Sequence, residues 1–311
     1  MRAIAMGVHV LDVLVRPVEQ IPQGQGGQLV EQISITAAGS AGGTALILAK
    51  LGAEVRSAGA LGTDAVGEML LALLARDGVD TSLLVRRDDL QTSASVLPIR
   101  PSGERPAFHV IGANQSYGPD DVDWEAVAAA THLHLGGPEF MGGEAAARIL
   151  SRAREQGVVT SADILAPGDP GLLGWIEPAL PHLDYLLPND EQVLGFTGAT
   201  DLVEGCRALV DRGVGCVAAT CGADGVTIVD AGGVARVPAF AIDVVDTTGC
   251  GDAFSAGFLR GLSLGRDRRD AGVLGCATAA LVAQGLGSDH GDFDLDAVDA
   301  FVARSRTTAN Q

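Results

Sequence analysis

The 311-residue chain is 47% hydrophobic, which is enough to bury one large α/β core, and its composition argues against disorder. Its 39 acidic against 21 basic residues give a formal net charge of −18, which disfavours binding to nucleic acid and to anionic membranes. Five cysteines without a CxxC pair indicate reduced thiols in the cytoplasm, and no apolar run reaches the roughly eighteen residues of a membrane-spanning helix.

Short apolar runs alternate with longer helical runs along most of the chain. The first run, Ile4 to Val15, predicts a buried strand rather than a signal peptide, because Asp12 interrupts it. The following predicted helices cover 44–52, 64–78, 143–157 and 201–213. The predicted strands cover 29–36, 54–62, 131–137, 158–164, 183–189 and 214–222, with a hairpin at 225–239.

This alternation favours an α/β fold with a mostly parallel central sheet and helices on both of its faces. Two β-rich segments, at about 16–38 and 92–111, do not follow the alternation. We expect them to form a small β-sheet lid beside the carboxyl edge of the central sheet, where open α/β folds bind ligands. The whole chain, 1–311, is predicted to form a single domain.

The stretch VVDTTGCGDAF, Val244 to Phe254, combines two glycines with an aspartate at the start of a predicted helix. Gly249 and Gly251 allow consecutive N–H groups to point into one concavity, and the helix dipole adds positive potential there. Asp252 would be repelled by a phosphate but is suited to act as a general base for an attacking hydroxyl. An ordinary helix cap is the competing interpretation.

The motif DTTGCGDAF resembles the C-terminal signature of the ribokinase-like carbohydrate kinases of the PfkB family, in which alanine usually stands at the position of Cys250. The resemblance extends over nearly the whole chain, through AGSAGGTALILAKLG (38–52), GALGTDAVGEMLLALLARDGVDT (59–81), LLPNDEQVLGFTG (186–198) and TCGADG (220–225). It implies a ribokinase-like three-layer sandwich with a β lid. It also implies transfer of the γ-phosphoryl group of ATP to a primary hydroxyl of a sugar or nucleoside-like acceptor.

Catalytic and acceptor-binding roles follow from the resemblance at matching positions. Asp252 matches the catalytic base, Asp12 matches an aspartate that binds sugar hydroxyls, and Gly39 matches a glycine whose backbone touches the sugar. The lid would close over the acceptor and often makes a homodimer in relatives. The implied anion hole consists of the backbone N–H groups of Gly249, Cys250 and Gly251.

Nucleotide and metal roles are implied in the same way. Thr220 and Gly222 match residues beside the ATP phosphates, and Asn189 opens a motif that helps to hold magnesium and phosphate through water. Asp246 and the carbonyl of Thr248 fall where many relatives bind a potassium ion.

Three further residues depart from the family pattern. Gly43 replaces an asparagine of the acceptor site, and Gly136 stands where ribokinase has a glutamate. Because both substitutions would leave volume and remove polar contacts, we expect an acceptor bulkier than ribose or differently substituted, such as a nucleoside or a longer sugar. Gln192 replaces the acid that steers hydrated magnesium; Glu191 or Asp190 could substitute for it, although neighbouring positions on a helix point elsewhere. A slower turnover or weaker magnesium dependence is therefore expected.

Other interpretations remain open. A phosphorylated acceptor is less favoured, because Lys50 is expected to face solvent, although Arg100 and Arg105 on the lid hairpin would suit one. A non-catalytic sugar or nucleoside binder would explain the lost asparagine and acid, but it would not need the aspartate of GCGD. A nicotinamide dehydrogenase is disfavoured because MGVHVLD lacks the G-x-G-x-x-G turn.

The histidines give no clear metal site. His132 and His134 alternate on one predicted strand, and no carboxylate or third ligand is expected beside them. His109, on the lid, could contact the acceptor or lie exposed on its strand.

Overall fold

The structure, a computed structural model, describes residues 1–308 and is built from thirteen strands and ten α-helices in that range. The strands are β1 Arg2–Gly7, β2 Val10–Arg16, β3 Gln32–Ala38, β4 Glu54–Gly62, β5 Asp80–Arg87, β6 Ala94–Pro98, β7 Phe108–Val110, β8 His132–Gly136, β9 Val159–Asp163, β10 Tyr185–Leu186, β11 Cys216–Thr220, β12 Val226–Asp230 and β13 Gly233–Val237. The helices are α1 Ser40–Lys50, α2 Ala65–Arg76, α3 Trp124–Ala129, α4 Gly143–Glu155, α5 Pro170–Ile176, α6 Asp190–Thr197, α7 Leu202–Val210, α8 Cys250–Ser263, α9 Arg268–Val282 and α10 Leu295–Thr308.

Nine strands form the central sheet in the order β13-β12-β11-β10-β9-β8-β1-β4-β5. The strands from β11 to β5 are parallel, and β12 and β13 add an antiparallel hairpin at one edge. Alternate side chains of β1 enter opposite cores, Ala3 and Ala5 on one side and Ile4 and Met6 on the other. Helices α1, α2, α8 and α9 pack in the first core and α4 and α7 in the second, which confirms the predicted three-layer α/β fold.

The second, smaller sheet has the order β3-β2-β6-β7 and forms the lid. The predicted strand from Ile4 to Val15 is in fact two strands, because the chain leaves the central sheet after Gly7. Gly7 has φ +119, and a Cβ there would overlap the carbonyl of Gly136 on the neighbouring strand. The lid therefore begins at Val10, earlier than the boundary near residue 16 that the sequence predicts.

The two faces of the lid differ in chemistry because its strands pair in register. One row across the four strands contains Ile35, Val13, Val96 and Phe108, and this apolar face is open, with Phe108 60% exposed. The adjacent row, which points to the opposite face, contains Thr36, Asp12, Ser95 and His109.

Four chain crossings connect the lid to the central layer, and two of them are tied to each other. The N–H of His9 donates to Oδ1 of Asn114 (3.1 Å), and Nδ2 of Asn114 donates to the carbonyl of His9 (3.0 Å). Both residues are buried. Burial lowers the pKa of His9 to about 4, so its ring is neutral at physiological pH.

The sequence predicts that Lys50 faces solvent, but its side chain is half-buried. Its Nζ donates to the carbonyls of Asp289 (2.6 Å) and Gly291 (2.7 Å), which ties the end of α1 to the loop before α10. Within residues 1–308, no helix is both long enough and apolar enough to cross a bilayer.

Candidate active site

Helix α8 begins next to the cleft between the central sheet and the lid. Gly249 precedes it in the left-handed conformation, with φ 75, and within the described chain no side chain caps the first turn. A Cβ on Gly249 would lie 2.6 Å from Ser288, so glycine is required for both conformation and space. A Cβ on Gly251 would meet nothing within 4 Å among the described residues, so the backbone there borders open space.

Asp252 lies in the first turn of α8, and its half-buried side chain packs against Gly43 of helix α1. Burial raises its pKa well above the ordinary value, and the negative charges of Asp163 and Asp12 raise it further. A raised pKa makes the carboxylate a stronger base than a solvent-exposed aspartate. The position suits an acid–base group that takes up a proton within an enclosed cleft.

The carboxylate of Asp252 also accounts for Gly43. A Cβ at Gly43 would overlap the Asp252 side chain, so an asparagine there would displace the aspartate. Gly136 is equally enclosed, because a Cβ there would overlap the backbone at Ser40 and Ala41. The expectation that these two glycines leave room for a bulkier acceptor is therefore wrong, since protein atoms already fill both places.

Asp12 lies on the polar face of the lid, 7% exposed. Burial raises its pKa to about 6, and a hydrogen bond from Ser95 and the charge of Arg105 partly offset that effect. Ser95 Oγ is also 3.0 Å from His109 Nδ1, so His109, which is exposed, belongs to the same polar row. Gly39, which precedes α1 with φ 82, lies against Val8 and Val10 at the base of the lid.

Arg105 reaches from the lid to the loop before α8, a contact that the sequence does not single out. Its Nη1 donates to Oγ1 of Thr248 at 2.5 Å and lies 3.7 Å from Oδ1 of Asp246. The two partners are more than 140 residues apart in the chain, so no local pattern predicts the contact. Through it, the lid touches the loop that leads directly into the candidate anion hole.

A cavity of about 500 Å³ brings together the predicted catalytic and phosphate-binding residues. A second, largely apolar cavity of about 550 Å³ adjoins it and shares Thr220, Gly222 and Gly251. Phe240 and Phe254 line the second cavity, together with small side chains of α9. The first cavity is lined by Asp163, Asn189, Thr220, Gly222, Gly249, Gly251 and Asp252, among others.

Asn189 and Gln192 form a reciprocal cap at the start of α6. Oδ1 of Asn189 accepts from the N–H of Gln192 (2.8 Å), and Oε1 of Gln192 accepts from the N–H of Asn189 (2.9 Å). The Gln192 amide then donates to the carbonyls of Ile164 (2.8 Å) and Ala166 (3.0 Å). Gln192 is 6% exposed, so its side chain is committed to the fold rather than to the cavity.

Asp246 organises the loop before α8. Its Oδ1 accepts from the N–H (3.0 Å) and the hydroxyl (2.8 Å) of Thr248, and its Oδ2 accepts from the N–H of Gly287 (3.2 Å). The neighbouring Ser288 hydroxyl is buried and has no hydrogen-bond partner in the described chain. Asp246 and Thr248 therefore place two oxygen atoms side by side, and the Arg105 guanidinium lies next to both.

The expectation that no carboxylate lies near the histidine pair is wrong for His134. Its Nδ1 is 3.0 Å from Ser161 Oγ, and its Nε2 is 3.6 Å from Oδ2 of Asp163. His132 lies apart from that pair, with its Nδ1 2.9 Å from Thr131 Oγ1. No group of three or more potential metal ligands of the His, Cys, Asp or Glu type occurs among residues 1–308.

The model of the pfkB carbohydrate kinase family matches residues 8–293. The chain belongs to the pfkB family. Among curated relatives, an ATP-dependent ribose-1-phosphate kinase of Halopiger xanaduensis is 30% identical over 83% of this chain and 83% of its own length. A nucleoside kinase of Methanothermobacter thermautotrophicus is 24% identical over 97% and 96% of the two chains.

Solved structures show the same fold for this pfkB protein. A protein of E. coli, assigned provisionally as ribokinase II and solved with ATP and Mg²⁺, aligns with a TM-score of 0.86 over 97% of this chain and 99% of its own, at 20% identity. The recognition as a ribokinase-like PfkB protein is thus confirmed, and family membership together with the names of the relatives supports a carbohydrate kinase.

Proposed function

We propose that the protein transfers the γ-phosphoryl group of ATP to a primary hydroxyl of a sugar or nucleoside-like acceptor, with Asp252 as the general base. The observation that carries this proposal is the position of the Asp252 side chain, which packs against Gly43 of α1 beside the uncapped amino end of α8 and lines the catalytic cavity. A base and an anion-binding helix end in one cavity are the two elements that phosphoryl transfer to an alcohol requires.

In the proposed mechanism, Asp12 and the polar face of the lid orient the acceptor. The acceptor hydroxyl gives its proton to Asp252 as its oxygen bonds to the γ-phosphorus, and the bond from that phosphorus to the β-bridging oxygen breaks, releasing ADP. The N–H groups at Gly249, Cys250 and Gly251 would stabilise the charge on the transferring group. Closure of the lid, through the Arg105 contact with Thr248, would exclude water that competes as acceptor.

The two cavities support ATP as the donor. The largely apolar cavity has room for a nucleobase, and the shared residues Thr220, Gly222 and Gly251 lie where it meets the catalytic cavity. The ATP and Mg²⁺ complex of the E. coli neighbour supports the same donor and metal. When bound, Mg²⁺ would neutralise charge on the β- and γ-phosphates. Asn189, which lines the catalytic cavity, is proposed to contact the phosphates through water.

The acceptor side favours a neutral polyol. Four polar side chains in a row, Thr36, Asp12, Ser95 and His109, suit hydroxyl groups of a sugar or a ribosyl moiety. A phosphorylated sugar is the second candidate, because Arg105 places a guanidinium at the edge of the cleft and one relative is named a ribose-1-phosphate kinase. A pure sugar or nucleoside binder is less well supported, since it has no use for a buried base.

Two further properties belong to this proposal. Potassium would bind at Asp246, Thr248 and Ser288, and replacing K⁺ with tetramethylammonium should lower kcat if it does. A second copy of the chain would cover the apolar row of Ile35, Val13, Val96 and Phe108, giving a homodimer through the lid. Sedimentation of Phe108→Lys against the wild type tests the dimer, since an unchanged mass would contradict that interface.

The decisive experiment measures ADP release from MgATP in potassium buffer across free pentoses, hexoses, keto-deoxy acids, nucleosides and phosphorylated sugars. We expect one acceptor class to respond, and Asp252→Asn to lower kcat by about 10²–10⁴-fold. Asp270→Asn is the matched control, because Asp270 lies exposed in the first turn of α9 and should leave kcat unchanged. Full activity of Asp252→Asn would remove the proposed base. Silence across the panel with acceptor binding retained would favour the binder.

A further inference from the structure

We propose that Asp163 supplies the carboxylate that holds the divalent cation through its water shell, and that buried His134 orients it. This inference rests on the proposed ATP-dependent function. It assigns a metal-binding role to Asp163 and His134. Both lie outside the motif from Asn189 to Gln192, which the family resemblance links to magnesium.

The motif offers the metal at most one carboxylate. Gln192 is neutral and buried, and its side chain is engaged with Asn189, Ile164 and Ala166. Glu191 is exposed on α6, and Asp190, which lines the cavity, accepts from the N–H of Glu191 (3.0 Å) through its Oδ1. A site that positions a metal–nucleotide complex generally needs one or two carboxylates, so a carboxylate from another element is expected beside this motif.

Asp163 provides such a carboxylate at the last residue of β9. It is 6% exposed, it lines the same cavity as Asp252, Asn189 and Thr220, and its Oδ1 has no hydrogen-bond partner in the described chain. A buried carboxylate oxygen without a partner carries a large desolvation cost. A buried carboxylate beside a cavity that is proposed to hold triphosphate calls for a cation between the two negative groups.

His134 explains why the carboxylate is held in place. The ring is 1% exposed, and Ser161 fixes its Nδ1, which leaves Nε2 directed at the other oxygen of Asp163. The separation of 3.6 Å is longer than a hydrogen bond, so the contact is electrostatic. It restrains the orientation of the Asp163 carboxylate at the wall of the cavity. Outer residues that orient a ligand in this way tune metal affinity.

The test uses binding rather than turnover. Free Mn²⁺ is measured by electron paramagnetic resonance in a titration of the full chain with Mn²⁺ and the non-hydrolysable analogue AMP-PCP. Asp163→Asn, which preserves shape and removes the charge, should raise the Mn²⁺ dissociation constant by about 10–100-fold. Glu191→Gln removes the same charge from an exposed position and should leave the constant unchanged.

The role of His134 as a positioning residue is tested by two substitutions. His134→Gln retains an amide donor that can face Asp163 and should keep most of the Mn²⁺ affinity. His134→Leu removes the donor at similar volume and should weaken binding several-fold while the thermal unfolding of the two variants remains comparable. Equal affinity in the leucine and glutamine variants would show that His134 serves packing only.

A wild-type measurement guards against variants that fail to fold. Fe²⁺ replaces Mn²⁺, and ascorbate with peroxide then cleaves the backbone near the bound metal. Cleavage next to residue 163 supports the proposal, whereas cleavage confined to the start of α6 overturns it. Unchanged Mn²⁺ affinity in folded Asp163→Asn, or weaker affinity in Asp190→Asn instead, also overturns it. Because neither readout requires an acceptor, a failed kinase assay with intact Mn²⁺–AMP-PCP binding would contradict the proposed transfer and leave the metal site standing.

Discussion

Helices α6 and α8 both begin at the catalytic cavity, but their first turns are completed in opposite ways. Helix α8 starts from Gly249 in a left-handed conformation, and in the described chain no side chain caps it. Helix α6 starts from Asn189, and the side chains of Asn189 and Gln192 occupy its exposed amides reciprocally. Both helices have their amino ends, and so the positive ends of their dipoles, at this cavity, yet only α8 has a first turn without a side-chain cap among the described residues.

The difference teaches that a helix dipole alone does not make an anion site. At α6, the cap uses up the donors, and the amide of Gln192 anchors the loop that follows β9. At α8, no side chain caps the first turn; the N–H of Cys250 donates to the carbonyl of Thr247 (3.3 Å), and the backbone at Gly251 borders open space among the described residues. The uncapped end of α8 is suited to bind an anion, and the capped end of α6 stabilises the fold. Substitutions at the two ends should therefore affect kcat and stability differently.

The largest effect should come from closing the open end. Gly249→Ala forces a left-handed residue to carry a Cβ that overlaps Ser288, so the first turn of α8 must move. We expect kcat to fall by about 10²–10³-fold, the loss typical of one misplaced oxyanion donor. Gly265→Ala is the control in steady-state assays. It has a similar φ, 80, at the other end of α8, but its Cβ would meet nothing within 4 Å, and it should cost stability only.

Substitution of Asp12 tests whether the buried carboxylates near the start of α8 lower the free energy of unfolding. Its folded pKa of about 6 lies above the ordinary 3.8, so its favourable contribution is complete below pH 3.8 and lost as pH rises through 6. Asp12→Asn should therefore raise the free energy of unfolding at pH 8 by up to about 3 kcal/mol, at 1.36 kcal/mol per pKa unit, and should have little effect below pH 4. Urea melts at the two pH values measure it. Equal shifts at both would contradict the assigned cause.

A third substitution perturbs the base without touching the open end itself. Gly43→Ala places a methyl group where the Asp252 carboxylate lies, and a displacement of about 1 Å costs roughly 10²-fold in kcat. The adjacent Gly42→Ala is the control, since its Cβ would lie 3.3 Å from His9 and requires only a small adjustment. A gain of ribose activity in Gly43→Asn would show instead that the site has room for the asparagine of relatives.

The smallest effect is expected at the closed end. Gln192→Glu replaces an amide that donates to two carbonyls with a carboxylate that repels them, so we expect a loss of about 1–3 kcal/mol in stability. The affinity for Mg²⁺ should not improve. Thermal unfolding and the Mg²⁺ dependence of kcat are compared with those of Glu191→Gln. Tighter Mg²⁺ dependence with unchanged stability would mean that residue 192 does reach the metal.

Sequence patterns anticipated the features that depend on nearby residues. The strand–helix alternation predicts the central sheet because each element buries its own periodic apolar face. The stretch from Val244 to Phe254 predicts the open start of α8 because glycine conformation and helix ends are local properties. The break after Gly7 was missed, since Val8 to Val15 is as apolar as the strand before it and only pairing with β8 decides where that strand ends.

Contacts between distant parts of the chain could not be predicted in the same way. The Asp252 carboxylate fills the space at Gly43, more than 200 residues earlier, so the glycine was misinterpreted as empty volume. Arg105 and Thr248 meet only because the lid folds over the central layer. Asp163 and His134 meet because β8 and β9 pair in parallel, and the alternation of strand residues gives no information on which neighbour a histidine will face.

The reciprocal pair of His9 and Asn114 has a mechanical consequence. It ties the segment before β2 to the segment that follows β7, so two of the four connections between the lid and the central layer are restrained together. Asp12 belongs to the lid, whereas Asp252 and the start of α8 belong to the central layer. Changes to the lid loops 17–31 and 99–107 can therefore alter which alcohol is selected while leaving the residues around Asp252 intact.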